Sequence, residues 1–178
     1  DEQNEFGGWL LGEANISIDE QPATSWIGKV TNQLAAMPNV KLLLRTTVFG
    51  YMDHNFLTLT ERVTDHLGER PAYLPRQRMW KVRAQQVIIA QGAHERPLVF
   101  AGNDIPGVML AGAVRTYINR YSVCPGQRGI VMCNNDDAYR TALDLHRAGA
   151  RVLVVDLRAQ PKGPLFQAAR NGGIDILI

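Results

Sequence analysis

The stretch Val87-Ile88-Ile89-Ala90-Gln91-Gly92-Ala93-His94-Glu95-Arg96-Pro97, continued by Ile105-Pro106-Gly107-Val108-Met109, decides how the rest of the chain is read. A short apolar, mostly β-branched run that ends in a glycine turn is the pattern of a fully buried strand. Gly92 lets the backbone turn without a Cβ and lets a ligand come close. Arg96 then falls at the carboxyl end of the strand, the edge at which open α/β sheets bind ligands. A planar guanidinium there suits bidentate pairing with a carboxylate or a phosphate, so Arg96 is expected to bind. His94 and Glu95 are expected to shape the loop. An acid–base role would need a pKa near neutrality and a reacting group within hydrogen-bond reach, and the sequence supplies neither.

A chain of 178 residues holds one domain or one and a half. Hydrophobic content of 46% and charged content of 20% are those of an ordinary soluble globular protein. The net charge is +2 and the basic residues are scattered, so neither a nucleic-acid nor a membrane partner is expected. No apolar run approaches the roughly 20 residues that span a bilayer. The opening Asp1-Glu2-Gln3-Asn4-Glu5 is not a secretory signal. Cys124 and Cys133 have no His or Cys near enough to complete a zinc set. They read as reduced structural thiols, which suits a cytoplasmic protein. Asp1-Glu2 resembles a strand end without its strand, and Ile174 to Ile178 a strand with nothing after it. The expectation is a fragment of a larger subunit.

Asp1-Glu2 followed by Phe6-Gly7-Gly8 makes sense as the end of the second strand of a dinucleotide-binding βαβ unit. There an acidic residue accepts hydrogen bonds from a ribose, and a glycine pair such as Gly7-Gly8 lets the chain pass close to phosphates. The Gly-x-Gly-x-x-Gly turn that belongs about 20 residues earlier is absent. Ser25 is the expected N-cap of a helix through Trp26, Ile27, Val30, Leu34 and Met37, a single buried stripe ended by Pro38-Asn39. Val40 to Thr47 and on to Asp53 is β-rich. A turn at His54-Asn55 leads to the alternating run Phe56 to Val63. A loop over Leu67 to Arg76 leads to the alternating run Arg78 to Ala84. These runs predict an antiparallel meander. Ala111 to Tyr121 reads as a helix, with Val114, Tyr117, Ile118 and Tyr121 three and four apart.

From Gln127 a second unit begins. Arg128 to Cys133 is a strand, Asn134 to Asp137 a tight turn, and Ala138 to Ala148 a helix closed by Gly149. Arg151 to Leu157 is the next strand, with Asp156 at its end, and together they predict a parallel βαβ unit. A short helix over Leu165 to Arg170, ended by Gly172-Gly173, leads to a third strand. Aligned on the strand end, the nucleotide fingerprint falls on Cys133, Asn135 and Ala138, of which only the last conforms. A side chain at Asn135 fills the space a pyrophosphate needs. Asp136 and Asp137 place two negative charges beside it. This unit is expected to be a nucleotide-domain scaffold without its dinucleotide.

The Ala90-Gln91-Gly92 turn resembles the Ala-Thr-Gly segment of two-dinucleotide-domain flavoproteins, with Gln91 where Thr is usual. The run His94 to Phe100, followed by Pro106-Gly107-Val108-Met109-Leu110, resembles more narrowly the α subunit of heterotetrameric sarcosine oxidase and its amine-oxidising relatives. The resemblance covers nearly all of the chain and extends to the Asn-Asn-Asp turn. It implies an α/β fold with parts of two Rossmann-like, glutathione-reductase-type dinucleotide-binding domains and an antiparallel β-meander crossover. Residues 1–105 would be a partial first domain with the meander, 106–127 a connecting segment with a helix, and 128–178 the second βαβ unit. Glu2 would be the ribose acid, Gly7, Gly8, Ala90, Gly92 and Arg96 would line the dinucleotide, and the backbone at Thr47 or Val48 would meet the adenine. The ligand implied here is NAD, in a largely structural role, with FAD and FMN elsewhere in the parent complex and one flavin at the interface with a β subunit. That complex would oxidise the C–N bond of sarcosine or a similar secondary amine, and this chain would hold no catalytic residue. The alternatives are an opine or proline dehydrogenase, the α subunit of a cyanide-forming glycine oxidase, or an assembly module without nucleotide.

Overall fold

The computed structural model describes residues 1–178, arranged as two compact units. One comprises Asp1–Gly8 with Ser17–Gly92, the other Trp9–Ile16 with Ala93–Ile178.

In the first unit the alternating runs do what period-two patterning demands. Strands β3 (Thr46–Met52), β4 (Phe56–Arg62) and β5 (Gln77–Arg83) form an antiparallel sheet in the order β3-β4-β5. His54 and Asn55 both take positive φ, 60° and 53°, which closes the first hairpin at the place the turn signal indicates. The pairing aligns Val48 with Leu59 and Leu59 with Trp80, then Tyr51 with Leu57 and Leu57 with Val82, so two rows of apolar side chains share one face. Trp80 Nε1 and Arg78 Nη1 both donate to Glu61 Oε2, at 2.8 and 3.1 Å, tying β5 to β4. Lys41 Nζ lies 4.4 Å from the centre of the Trp80 ring. The register shifts between Val48 and Gly50, a bulge that leaves Phe49 without a partner across the ladder.

Three expectations need correction here. Helix α1 runs Ala23–Ala35, so it starts ahead of Ser25 and ends before Pro38. Its N-cap is Pro22, at φ −53° and ψ 136°; Pro fixes φ, and the extended ψ leads into the helix without a capping side chain. The stripe Trp26, Ile27, Val30 and Leu34 is half-buried and Met37 is exposed. Residues 40–45 are not a strand, since regular pairing starts only at Thr46. The largest departure is at Val87 to Ala90. No strand of this chain pairs with it, and Ile88 and Ile89 are 91% and 64% exposed. A buried strand needs neighbours on both edges and cover on both faces, and these 178 residues supply neither. The other short elements here are β1 (Ser17–Ile18) and β2 (Gln21–Pro22), a two-stranded antiparallel ladder.

The second unit holds the core. Strands β6 (Arg128–Cys133), β7 (Arg151–Asp156) and β8 (Asp175–Leu177) are parallel, in the order β6-β7-β8. Helices α3 (Ala138–Arg147) and α4 (Pro164–Asn171) lie between them in sequence, as the strand–helix–strand reading requires. Val131, Cys133, Val152 and Val154 pack against Tyr139, Ala142, Leu145, Phe166 and Ala169. Full burial of a side chain such as Val154 is worth about 1.5–3 kcal/mol. Gly149 ends α3 at φ 90°, and Gly173 follows α4 at φ 77°. These left-handed positions are the ones glycine fills without a Cβ penalty. Helix α2 (Ala111–Asn119) sends Val114 and Ile118 into this core, while Tyr117 and Tyr121 stay at the surface, edge to face at 6.4 Å. No helix is long and apolar enough to cross a membrane.

Candidate functional site

Glu2 sits in a segment held beside the start of β3. The backbone N–H groups of Thr46 and Arg45 donate to the carbonyls of Asp1 and Gln3, each at 2.8 Å, and Arg62 Nη2 donates to the Glu2 carbonyl at 2.7 Å. The Glu2 side chain is exposed and forms no ion pair. Thus Glu2 and the first residues of β3 come together within one unit, and Val48 follows on that strand, exposed beside the bulge. Gly7 and Gly8 have φ of 133° and 54°, and Gly8 opens a 3-10 helix, Gly8–Gly12. Gly92 turns at φ 73°, and a Cβ there would meet no atom within 4 Å. Its glycine is therefore demanded by backbone conformation rather than by crowding. Ala90 is exposed. Arg96 is exposed as well, belongs to the other unit, and its guanidinium pairs with no carboxylate of the chain. An open hollow of about 490 Å³ lies in the first unit, lined by Phe6, Leu42, Leu43, Leu44, Arg62 and His66 among others. None of the expected ligand residues lines it.

The carboxyl edge of the parallel sheet is occupied by the protein's own side chains. Strand β7 delivers Asp156 to that edge, 2% exposed, and the chain then turns so that Arg158 comes back over it. The Arg158 backbone N–H and Nε each donate to Asp156 Oδ1 at 3.0 Å, and Nη2 donates to Oδ2 at 2.8 Å. The Tyr139 hydroxyl, from the first turns of α3, donates to the same Oδ2 at 2.7 Å. The bidentate Arg158 contact, helped by Tyr139, holds the Asp156 carboxyl well below the usual carboxylate range although burial opposes it. Burial, with the Asp156 carboxylate beside it, pushes the Tyr139 phenol well up. The same two causes push the Cys133 thiol up to about 11, so it is protonated at neutral pH and a poor nucleophile. Neither cysteine is in a disulfide; Cys124 is exposed and Cys133 buried.

The Asn134 to Asp137 turn is also accounted for. Asn135 Oδ1 accepts the backbone N–H of Ala138 at 3.3 Å, taking a donor that an anion at the start of α3 would use. Arg158 Nη1 donates to Asp136 Oδ1 at 2.8 Å. Asp137 is met by Arg115 Nη1 at 2.8 Å and by Arg140 Nε at 3.0 Å. The two acids expected to oppose a phosphate here each meet an arginine, but Arg158 is shared by Asp136 with Asp156 and Arg115 by Asp137 with Glu13, so the negative charge is offset only in part. What stands against a ligand is prior occupation. Asp156, in the ribose-acid position of this unit, has both oxygens engaged.

Sequence reasoning missed Arg115, Tyr139, Arg158 and the use made of Glu95. Only Arg158 had a local signal, an Asp-x-Arg at a strand end, where an Asx-type turn brings the third residue over the first. Arg115 is 6% exposed in α2 and pairs with Glu13, a residue about a hundred positions away. Glu95 Oε2 accepts the Gly112 N–H at 2.6 Å, capping α2, whose own N-cap residue Leu110 has no side chain for the task.

No family model matches the chain. Its mixed α/β architecture is that of a solved oxidoreductase: the L-proline dehydrogenase from P. horikoshii superposes with a TM-score of 0.67 at 18% identity, over 92% of this chain and 31% of that one. That likeness concerns the fold. The sequence goes further, for this chain is related to a segment of the sarcosine oxidase α subunit. It is 44% identical over 173 residues to that subunit from Corynebacterium sp. (strain P-1), covering 97% of this chain and 18% of the subunit. It is 44% identical over 159 residues to that from Rhizobium meliloti (strain 1021), covering 89% and 16%. Hydrogen cyanide synthase subunit HcnB of Pseudomonas aeruginosa is 33% identical over 110 residues, covering 61% of this chain and 24% of that subunit. The chain therefore spans less than a fifth of the length of the sarcosine oxidase subunits it matches.

Proposed function

We propose that this chain is part of the α subunit of a sarcosine oxidase-like enzyme, which oxidatively demethylates sarcosine or a similar secondary amine. The observation that carries the reading is the 44% identity over 97% of the chain. On this reading the chain carries portions of two Rossmann-like dinucleotide-binding domains, 1–105 with the meander, 106–127 as connector and 128–178 as a degenerate second domain, although residues 9–16 and 93–105 belong to the second compact unit. The chain binds NAD and a β subunit and leaves amine oxidation, with FAD and FMN, to other parts of the complex. The residues fit a dinucleotide: Glu2 is an exposed, unpaired carboxylate for a ribose, Gly7, Gly8 and Gly92 take positive φ, and Arg96 is an unpaired cation for a phosphate. Ala90 and the backbone at Val48 complete the set. NAD, when bound, supplies a pyrophosphate and two riboses to be held. The second unit holds no nucleotide, because Arg158, Tyr139 and Asn135 already use its polar groups. Val87 to Ala90, apolar and uncovered, is a strand completed by the rest of a longer polypeptide.

Mass spectrometry of ligand released from the full-length polypeptide tests this. NAD supports the reading, FAD reassigns the site, and no nucleotide leaves an assembly module. The HcnB likeness favours one second reading, a cyanide-forming glycine oxidase subunit, which substrate oxidation by the complete complex would distinguish.

A further inference from the structure

Helix α2 is the element to which three separate parts of the second unit are fastened. Its N-terminus receives Glu95 through the Gly112 N–H at 2.6 Å. A Cβ on Gly112 would come within 2.9 Å of Glu95 Oε2, so a larger residue there would make the carboxylate shift. At its middle, buried Arg115 forks between Glu13 and Asp137, with Nε left without an acceptor. At its end, Asn119 Nδ2 donates to the Gly12 carbonyl at 2.9 Å and to Asp144 Oδ2 at 2.8 Å. Two of these attachments fall directly after proposed ligand turns in the chain. Gly12 and Glu13 follow Gly7-Gly8, and Glu95 follows Gly92 and precedes Arg96.

We propose that Glu95 is a positioning residue for dinucleotide binding, fixing the Arg96 loop by anchoring it to the N-terminus of α2. The proposal rests on the reading of Arg96 as a phosphate ligand. A carboxylate at a helix N-terminus gains both a charge-assisted hydrogen bond and the favourable end of the helix dipole. Without the anchor, the loop keeps the hydrogen bond from Asn103 Nδ2 to the Leu98 carbonyl at 3.2 Å, beyond Arg96, but loses its tie on the near side. Arg96 then has more ordering to undergo at the moment of binding, which weakens affinity. Glu95 itself need not touch the ligand.

The test is a titration of the full-length polypeptide, freed of bound nucleotide, with NAD. Glu95→Ala is expected to raise Kd about ten-fold, the order of one charge-assisted hydrogen bond. Glu95→Gln, which keeps an acceptor oxygen, is expected to recover most of that loss. The deciding measurement is the double variant Glu95→Ala/Arg96→Ala. If Glu95 acts through Arg96, the double variant binds no more weakly than Arg96→Ala alone. Additive losses, or an unchanged Kd for Glu95→Ala, overturn the positioning role while leaving the dinucleotide reading intact. Failure of the unsubstituted polypeptide to bind NAD overturns the reading and the proposal together.

Discussion

The two carboxylates that the sequence reading compares with a ribose acid, Glu2 and Asp156, meet opposite fates. Glu2 is exposed and unpaired, while Asp156 is enclosed by Arg158 and Tyr139. In the full-length polypeptide, Glu2→Ala should therefore cost dinucleotide retention about 1.5–3 kcal/mol, or roughly ten- to a hundred-fold in affinity. NAD content unchanged from the unsubstituted polypeptide removes Glu2 from the site. Tyr139→Phe should instead lower stability by about 1–3 kcal/mol by stripping a buried carboxylate of a donor; denaturant unfolding measures it. Asp156 also sets a pH dependence. Its folded-state pKa lies below its ordinary value of 3.8, so its contribution is fully present above about pH 4 and is lost as pH falls further toward the folded value. Asp156→Asn should flatten the acid limb of the stability profile; an unchanged limb places the proton uptake elsewhere. Of this pairing only the Asp156-x-Arg158 turn left a local signal; Tyr139 is an ordinary residue type that acquires its role only when strand and helix ends converge.

At the scale of elements, what the pattern dictates locally was legible. Alternation and turn chemistry gave β3, β4 and β5, and the strand–helix–strand rhythm from Arg128 gave the parallel sheet. What failed was whatever needed a partner to be realised. Val87 to Ala90 has the composition of a buried strand and lies open, since composition records the environment a segment is suited to, not whether that environment is present. Ile88→Asp should accordingly shift the melting temperature of residues 1–178 little, yet sharply reduce the folded yield of the full-length polypeptide, where burying an unpaired carboxylate is costly. Equal tolerance in both would show that this run stays at the surface.

Over the whole molecule, stability is unevenly distributed. The contiguous core of buried residues lies in the second unit, whereas the buried hydrophobic residues of the first reduce to Ala23. Native-state hydrogen exchange should find the amides of β6, β7 and α3 protected by more free energy than those of β3, β4 and β5. Equal protection across both sheets would mean that the two units open as one. Of the residues proposed to meet a dinucleotide, Glu2, Gly7, Gly8, Val48, Ala90 and Gly92 belong to the first unit and Arg96 to the second.

That division has a practical edge. Because Trp9–Ile16 belongs to the second unit while the residues on either side of it belong to the first, the chain passes from one unit to the other three times. A protease cutting once, between Gly92 and Ala93, would leave the N-terminal product still carrying a strap of its neighbour. Neither unit is an uninterrupted stretch of the chain: a start at Ala93 omits Glu13, one of the two carboxylates that pair with buried Arg115, and leaves Asp137 as the other. Anyone dissecting this protein would have to graft residues 9–16 onto the second half through a linker, or expect that half to precipitate.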